Sequence, residues 1–151
     1  MSDPFQSANT TARLGLPYLF PGQAQKEFTI NEALTRLDFL VSPAVQGQVA
    51  SPPDNPAAGA MFIVAPGGVD LFSGHDGMFA CWDGQQWTFL APQPGTTVSD
   101  ASDGSRWRFS GGWVQAVSPA LPEGGQVVDQ EARAALSALI ETLQVAGIFS
   151  R

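Results

Sequence analysis

The residues best suited to catalysis surround the single histidine, His75, in the segment Ser-Gly-His-Asp-Gly at 73–77. A histidine that acts as a general base needs a nucleophile and an orienting carboxylate, and Ser73, Asp70 and Asp76 are near it in sequence. Neighbours along the chain seldom reach that geometry, because the members of a triad normally come from separate elements. The segment is therefore predicted to be a tight turn with the histidine hydrogen-bonded to backbone, and the protein is predicted not to be an enzyme.

Metal and cofactor chemistry has little support in the sequence. One histidine and one cysteine, Cys81, cannot complete a tetrahedral zinc site without carboxylates, and no pair has the spacing of zinc ligands. The calcium pattern D-x-[DN]-x-[DN]-G is missing, and the glycine pairs at 67–68 and 111–112 lack the spacing of phosphate-binding loops. We therefore expect no cofactor and no metal, although four aspartates could in principle bind calcium: Asp70, Asp76, Asp83 and Asp103.

The tryptophans are the candidates for binding, namely Trp82, Trp87, Trp107 and Trp113. Exposed aromatic rings beside polar side chains can stack on the apolar faces of sugars. The same rings can also form the core of a small β-domain, and that interpretation is favoured for most of them. If a glycan does bind, the residues predicted to contact it are His75, Asp76, Trp82 and Trp87.

Two of these tryptophans belong to a repeated pattern, Asp-Gly-x-x-Trp-x-Phe, found at 83–89 and again at 103–109. Asp-Gly accepts the backbone geometry of a hairpin turn, and residues two apart on a strand point to the same face of the sheet. The pattern therefore predicts short antiparallel strands joined by turns. Two copies are fewer than the roughly three repeats that a solenoid needs.

A helix is predicted on each side of this β-region. In the first, Ile30, Leu34, Leu37 and Val41 share one face, and the helix must end before Pro43. The second begins after the N-cap residue Asp129 and ends at Gly147, which suits a helix C-cap. Its apolar stripe consists of Ala135, Leu136, Leu139, Ile140 and Leu143.

The first 23 residues are predicted to form an extended arm, because they are polar and then interrupted by proline and glycine. The apolar side chains of the arm must pack on its own domain or on a neighbour. We therefore expect the arm and the second helix to serve docking or oligomerisation, through Leu14, Leu16, Tyr18, Phe20, Leu136 and Ile140.

These segments predict an α+β fold with a small central antiparallel β-sandwich or barrel. The predicted divisions are an arm and helix at 1–45, a β-domain at 46–117, and a linker and helix at 118–151. Proline and glycine mark the connecting stretches 46–58 and 118–126.

The low content of charged residues and the negative net charge restrict the classes of molecule that this protein could bind. Charged residues make up 14% of the chain, against about 25% in typical soluble proteins. Either other subunits cover part of the surface, or a monomer has a surface of uncharged polar residues. The net charge of -7 and the single lysine, Lys26, argue against nucleic acid and against an anionic membrane. The N-terminus has no signal-peptide pattern, and one cysteine excludes an internal disulfide.

The segment Gln-Ala-Gln-Lys-Glu-Phe-Thr-Ile-Asn-Glu-Ala-Leu at 23–34, preceded by Leu-Pro-Tyr-Leu at 16–19, resembles an uncharacterised domain family of prophages and α-proteobacterial gene transfer agents. The similarity continues through Gly-His-Asp-Gly at 74–77 and Trp-Asp-Gly at 82–84 to the last helix. It implies a virion component, such as a tail-fibre or head-spike protein that helps a particle attach to host-cell polysaccharide. It carries over no catalytic residue.

The resemblance implies the following partners: capsid or tail proteins, a spike or fibre protein, and further copies of this chain. It also implies polysaccharide, contacted either directly or through the spike or fibre protein. The chain would be made in the bacterial cytoplasm and act in the particle as a spike base or adaptor. The alternative is a stand-alone carbohydrate-binding module that uses the aromatic residues of the β-domain. A weaker third alternative is a polysaccharide hydrolase using His75.

Overall fold

The structure is a computed structural model that describes residues 9–20, 22, 26–124 and 129–149. Within these ranges it contains two α-helices, one 3-10 helix and eight short strands in two open sheets, so the predicted α+β class is confirmed and a closed barrel is not formed. The chain divides into two compact units, Met1–Pro92 and Gln93–Arg151. The boundaries expected at residues 45 and 117 stay predictions.

The first unit contains one helix, five strands and the 3-10 helix. In chain order these are α1 (Lys26–Leu40), β1 (Ala44–Val45), β2 (Gln48–Val49), β3 (Met61–Val64), the 3-10 helix (Asp70–Phe72), β4 (Phe79–Trp82) and β5 (Trp87–Leu90). The second unit contains β6 (Thr97–Asp100), β7 (Arg106–Phe109), β8 (Trp113–Gln115) and α2 (Gln130–Val145).

The sheet of the first unit has the order β2-β3-β4-β5. The pairs β3–β4 and β4–β5 are antiparallel, with Phe62 opposite Ala80 and Trp82 opposite Trp87. The pair β2–β3 is parallel, with Gln48 opposite Ile63, because the loop between these strands carries the chain back to the same end of the sheet. The sheet is thus not wholly antiparallel as predicted. A strand of two residues inside a proline-rich stretch shows no alternation that could reveal it.

The centre of this sheet is buried on both faces. All four residues of β3 are buried, as expected for a continuous apolar run, and so are the first three of β4. On one face Val64 and Ala80 pack with Phe72 from the 3-10 helix, and Val49, Trp87 and Phe89 complete this cluster.

The described part of the N-terminal arm lies on α1. The carboxylate of Asp38 is fully buried and accepts hydrogen bonds from the Thr11 hydroxyl at 2.8 Å and from the backbone N–H groups of Arg13 at 2.8 Å and Leu14 at 2.7 Å. A buried carboxylate is stable only when such donors replace water. Further along, Asn31 bonds both the N–H and the C=O of Leu19.

The sequence predicted α1 correctly but said nothing about which side faces the core. The predicted apolar stripe is largely exposed, at Ile30, Leu37 and Val41, while Glu27 and Asp38 are turned inward. The inward side also carries Phe39, which is fully buried, and its polar side chains bond the backbone of the arm. The outward stripe is left without a partner in a single described chain.

The second unit is an antiparallel meander of β6, β7 and β8 followed by α2. The side chain of Asp129 accepts a hydrogen bond from the Ala132 N–H at 2.9 Å, which confirms the predicted N-cap. Gly147 follows the helix with a φ of 68°, as a C-terminal glycine should. No residue of α2 is buried.

Candidate functional site

His75 lies in the predicted tight turn, between the 3-10 helix and β4. Its backbone N–H donates to the Phe72 carbonyl at 3.1 Å, and its carbonyl accepts from the Met78 N–H at 2.9 Å. The imidazole ring stacks on Phe89, with ring centres 3.7 Å apart and planes parallel within 1°. The described ring contact of His75 is therefore with an aromatic side chain and not with the carboxylate beside it.

The side chain of Asp76 accepts hydrogen bonds from the neighbouring loop. Its two carboxylate oxygens accept the backbone N–H groups of Gly67 and Gly68, each at 2.9 Å. These hydrogen bonds lower the pKa of Asp76 below its ordinary value, since they stabilise the ionised form. Gly68 has no room for a side chain, because a Cβ there would lie 2.5 Å from the Phe72 carbonyl oxygen. Asp76 thus closes a turn, and the geometry gives it no role towards His75.

Four aromatic rings form what we call the aromatic strip: Trp82, Trp87, Phe89 and His75. Trp82 and Trp87 are cross-strand partners with ring centres 5.2 Å apart. Phe72 meets both Trp87 and Phe89 edge-on from below, at 5.1 Å and 5.7 Å. Trp87 and Phe89 thus share one face of β5, as the repeat predicted, and the predicted use of these rings in the core is confirmed for that side.

The other side of the aromatic strip remains accessible. Trp82, Trp87 and Phe89 line a cavity of about 410 Å³ together with Gln85, Gln86 and the exposed Leu71. Aromatic rings beside amide side chains are suited to a ligand with one apolar and one hydrogen-bonding face. Three of the four residues predicted to contact a glycan therefore belong to one strip, and Asp76 does not.

The tryptophans of the second unit have structural roles. The indole N–H of Trp107 donates to Asp100 at 3.0 Å, and Trp113 packs on Phe109 with ring centres 5.3 Å apart. Burial raises the pKa of Asp100, but hydrogen bonds from Ser102 and from Trp107 outweigh it, so the pKa is lowered overall. The second copy of the repeat therefore holds a turn together.

A larger cavity lies between the arm, α1 and the β4–β5 turn, and we call it the arm groove. It has a volume of about 630 Å³ and joins three segments that are distant in sequence. No local pattern could reveal it, although its wall includes Tyr18, which was predicted for docking. The hydroxyl of Tyr18 is already bonded to Thr35, at 2.6 Å.

Glu27 is the unusual residue of the arm groove. It is only 8% exposed, its Oε1 accepts a long hydrogen bond of 3.4 Å from the Gly22 N–H, and its Oε2 is buried with no hydrogen-bond partner in the part of the chain that the structure describes. A buried polar atom without a partner is costly and rare. No local pattern in the sequence distinguishes Glu27 from the other acidic residues.

The residues predicted for docking differ in exposure. Leu14 and Phe20 on the arm and Leu136 on α2 are exposed. Leu16, Tyr18 and Ile140 are half-buried. These residues stay predicted docking residues, and the exposed ones have the accessibility that docking requires.

Metal, thiol and membrane chemistry find no site in the described ranges. No group of three or more His, Cys, Asp or Glu residues there could hold a metal ion. Burial raises the pKa of the Cys81 thiol to about 12, and the nearby Arg13 offsets only part of this. Neither α1 nor α2, the α-helices of these ranges, is long and apolar enough to cross a membrane.

Together these features define an α+β protein with four accessible surface features: an aromatic strip, a polar groove and two exposed apolar helix faces. Residues 30–114 match the family described as "Protein of unknown function (DUF2793)". The match covers more than half of the chain, which therefore belongs to this family. It includes most of α1 and nearly all of the β-region, while α2 lies beyond it. Comparisons with curated proteins and with solved structures give no match.

Proposed function

We propose that this protein is a non-enzymatic component of a phage-like or gene transfer agent particle. It acts there as the base or adaptor of a head spike or fibre that supports attachment to host-cell polysaccharide. The observation that carries the proposal is α2, a helix of 16 residues with none of them buried. The resemblance of residues 16–34 to particle-associated proteins supports the location.

An isolated helix as long as α2 is only marginally stable in water, so its apolar side needs a surface to cover it. On this side Leu136 is 46% exposed and Leu139 is 53% exposed. The charges of α2 lie off this stripe, at Glu131, Arg133 and Glu141. Two copies can therefore bring their stripes together without opposing like charges.

A second exposed stripe lies on α1 at Ile30 and Leu37 and continues to Val41 just after the helix, and Leu14 on the arm is also exposed. Exposed apolar patches on a soluble chain are typical of interaction surfaces. Two stripes suit an adaptor, since one can join copies of the chain around a symmetry axis and the other can join a capsid, tail or spike protein.

The test of self-association is the mass of the full chain in solution, measured by light scattering or sedimentation. We expect an oligomer for the natural protein and a monomer for the double variant Leu136→Glu/Leu139→Glu. The matched control is Ala134→Glu, on the opposite side of α2, which should stay oligomeric. A natural protein that is monomeric at micromolar concentration would contradict the oligomer.

The test of the location is made on particles. Particles that lack this protein should lose their spikes or fibres and keep intact capsids, as seen by electron microscopy, and should adsorb poorly to host cells. Particles with unchanged decoration would refute the adaptor proposal.

The second candidate function is a stand-alone carbohydrate-binding module. It is favoured by the cavity of about 410 Å³ along the aromatic strip, where Trp82 and Trp87 meet Gln85 and Gln86. Its test is binding of purified host-cell polysaccharide by a monomeric chain. Trp82→Ala should remove that binding and Trp113→Ala should not, whereas an oligomer without affinity for polysaccharide favours the adaptor.

A further inference from the structure

Two buried carboxylates in the first unit, those of Asp38 and Glu27, differ in the hydrogen bonds that they accept. Asp38 is fully buried and receives three hydrogen bonds of 2.7 to 2.8 Å. Glu27, at 8% exposure, receives one long bond of 3.4 Å, and its Oε2 has no partner in the described ranges. An unpaired buried carboxylate oxygen lowers stability, because the lost hydration is not replaced. A donor supplied from outside would remove that cost.

The surroundings of Glu27 select a positively charged donor. Glu27 lines the arm groove with Glu32 and Asp83, and no lysine or arginine is among the described residues that line it. Glu32 is already paired with Arg36 at 2.6 Å, and one oxygen of Asp83 accepts two backbone N–H groups. Glu27 differs from both because its free oxygen is buried and not hydrated, and an ammonium group with three N–H donors complements it best.

The remaining wall of the arm groove matches hydroxyl groups and a ring face. The side chains of Gln85, Gln86 and Thr88 offer amide and hydroxyl groups across from α1. The ring of Phe28 is 75% exposed at the same groove. A volume of about 630 Å³ is in the usual range for small-ligand sites. An alkyl amine would leave these polar groups unused.

We infer that the arm groove is a binding site for an amine-bearing sugar, whose ammonium group is received by Glu27. The sugar hydroxyls face Gln85, Gln86 and Thr88, and the ring of Phe28 covers an apolar face of the sugar. The arm groove shares Gln85 and Gln86 with the cavity of the aromatic strip, whereas Glu27, Phe28 and Thr88 line the arm groove and not that cavity. The inference does not depend on the particle proposal, because it concerns contacts within one unit of the chain.

The experiment uses two probes with the same sugar backbone, a chitosan oligosaccharide and the chitin oligosaccharide of equal length, which is its N-acetylated form. Binding to the full chain is measured by calorimetry at mildly acidic pH, where the free amine is protonated, and mapped by amide NMR. We expect chitosan to bind, to bind more weakly as salt is added, and to shift the amides of Phe28, Asn31 and Thr88, which line the arm groove and not the cavity of the aromatic strip. Chitin should bind roughly tenfold or more weakly, because acetylation removes the charge-assisted hydrogen bond.

The variant Glu27→Gln keeps the size of the side chain and removes its charge. It should lose most of the affinity for chitosan and abolish the preference for chitosan over chitin. Its fold is checked by its amide spectrum, and Glu27→Asp, which retains the charge on a shorter side chain, provides a second variant. Asp54→Asn, which removes an exposed negative charge of the same unit outside the arm groove, is the control that should bind as the natural protein does.

Several results would overturn the inference: equal binding of the two probes, no binding of chitosan, or unchanged binding by both Glu27 variants. Chitosan shifts confined to Trp82 and Trp87 would move the site to the aromatic strip. A tetralysine peptide is the last probe. If it binds as tightly as chitosan, the groove recognises an amine on a peptide, and the assignment to a sugar is wrong.

Discussion

Arg13 and Asp38 are joined by two hydrogen bonds, each between a backbone group of one residue and the side chain of the other. The backbone N–H of Arg13 donates to Oδ2 of Asp38 at 2.8 Å, and the guanidinium of Arg13 donates to the backbone carbonyl of Asp38, also at 2.8 Å. The same guanidinium bonds further carbonyls at the end of α1, those of Phe39, Val41 and Ser42. Carbonyls there have no partner within the helix. The arm thus caps the C-terminus of α1, and the helix provides the buried acceptor for the arm.

Asp38→Asn should lower the free energy of unfolding by about 3 kcal/mol, since it removes charge-assisted hydrogen bonds and turns an amide N–H₂ towards buried N–H donors. The measurement is urea unfolding followed by circular dichroism. Asp54→Asn, at an exposed aspartate of the same unit, is the control and should change little. A loss no larger than the control's would show that the arm is not held by Asp38.

This arrangement shows what helical periodicity can and cannot predict. The spacing of Ile30, Leu34, Leu37 and Val41 correctly predicts a helix and the residues that share a face. It does not say which face is covered. Here Asp38 and the amide of Asn31 bind the arm, and Phe39 is buried beside Asp38, so this side of the helix faces inward. The covered side depends on contacts with a segment some 12 to 27 residues away, which no local pattern contains.

Glu27→Gln should raise the free energy of unfolding of the unliganded protein by about 1 kcal/mol. The substitution removes a buried charge whose Oε2 has no partner in the described ranges, and it keeps an oxygen for the Gly22 N–H. It also removes a favourable interaction with the N-terminus of α1, which is worth less than the desolvation it relieves. Thermal unfolding without ligand measures the change, with the surface variant Glu32→Gln as control. A stability loss greater than the control's would mean that Glu27 is a structural residue.

The pH dependence of the loop at 67–76 follows from Asp76. Backbone hydrogen bonds from Gly67 and Gly68 lower its pKa in the folded protein relative to the value of about 3.9 in the unfolded chain. Its contribution is therefore fully present above about pH 3.9 and is lost as the pH falls through the lowered folded value. Urea unfolding of the natural protein and of Asp76→Asn, from neutral to acidic pH, should show a gap that closes only on the acidic side. A gap of constant size would contradict this assignment.

The candidate sites were predictable to different degrees. The Asp-Gly pairs place the turns correctly, and the carboxylate oxygens of Asp83 and Asp103 accept backbone N–H groups within those turns. The use of Trp87 and Phe89 on one face also follows from the period of a strand. The two copies of the repeat nevertheless differ in role, because Trp87 borders a cavity whereas Trp107 is bonded to Asp100. That difference comes from the residues that pack on each sheet and not from the repeat itself.

Gly147 is the most constrained glycine at the end of α2. Its φ is 68°, and a Cβ there would lie 2.5 Å from the carbonyl oxygen of Gly104 in the turn before β7. The close approach lets residues after α2 reach the sheet, where Phe149 forms a parallel bridge with Ala116. The C-terminal end of α2 is therefore fixed by a backbone contact that only glycine permits.

Gly147→Ala should lower the free energy of unfolding by about 2 kcal/mol or more, since it adds a clash with backbone to the cost of a left-handed conformation. The matched control is Gly111→Ala in the same unit, with a φ of 76° and open space around its Cα. The control pays only the conformational cost, about 1 kcal/mol. Hydrogen exchange should also show faster opening of the last turn of α2 in Gly147→Ala alone. Equal losses in the two variants would mean that the contact between Gly147 and Gly104 does not hold α2 in place.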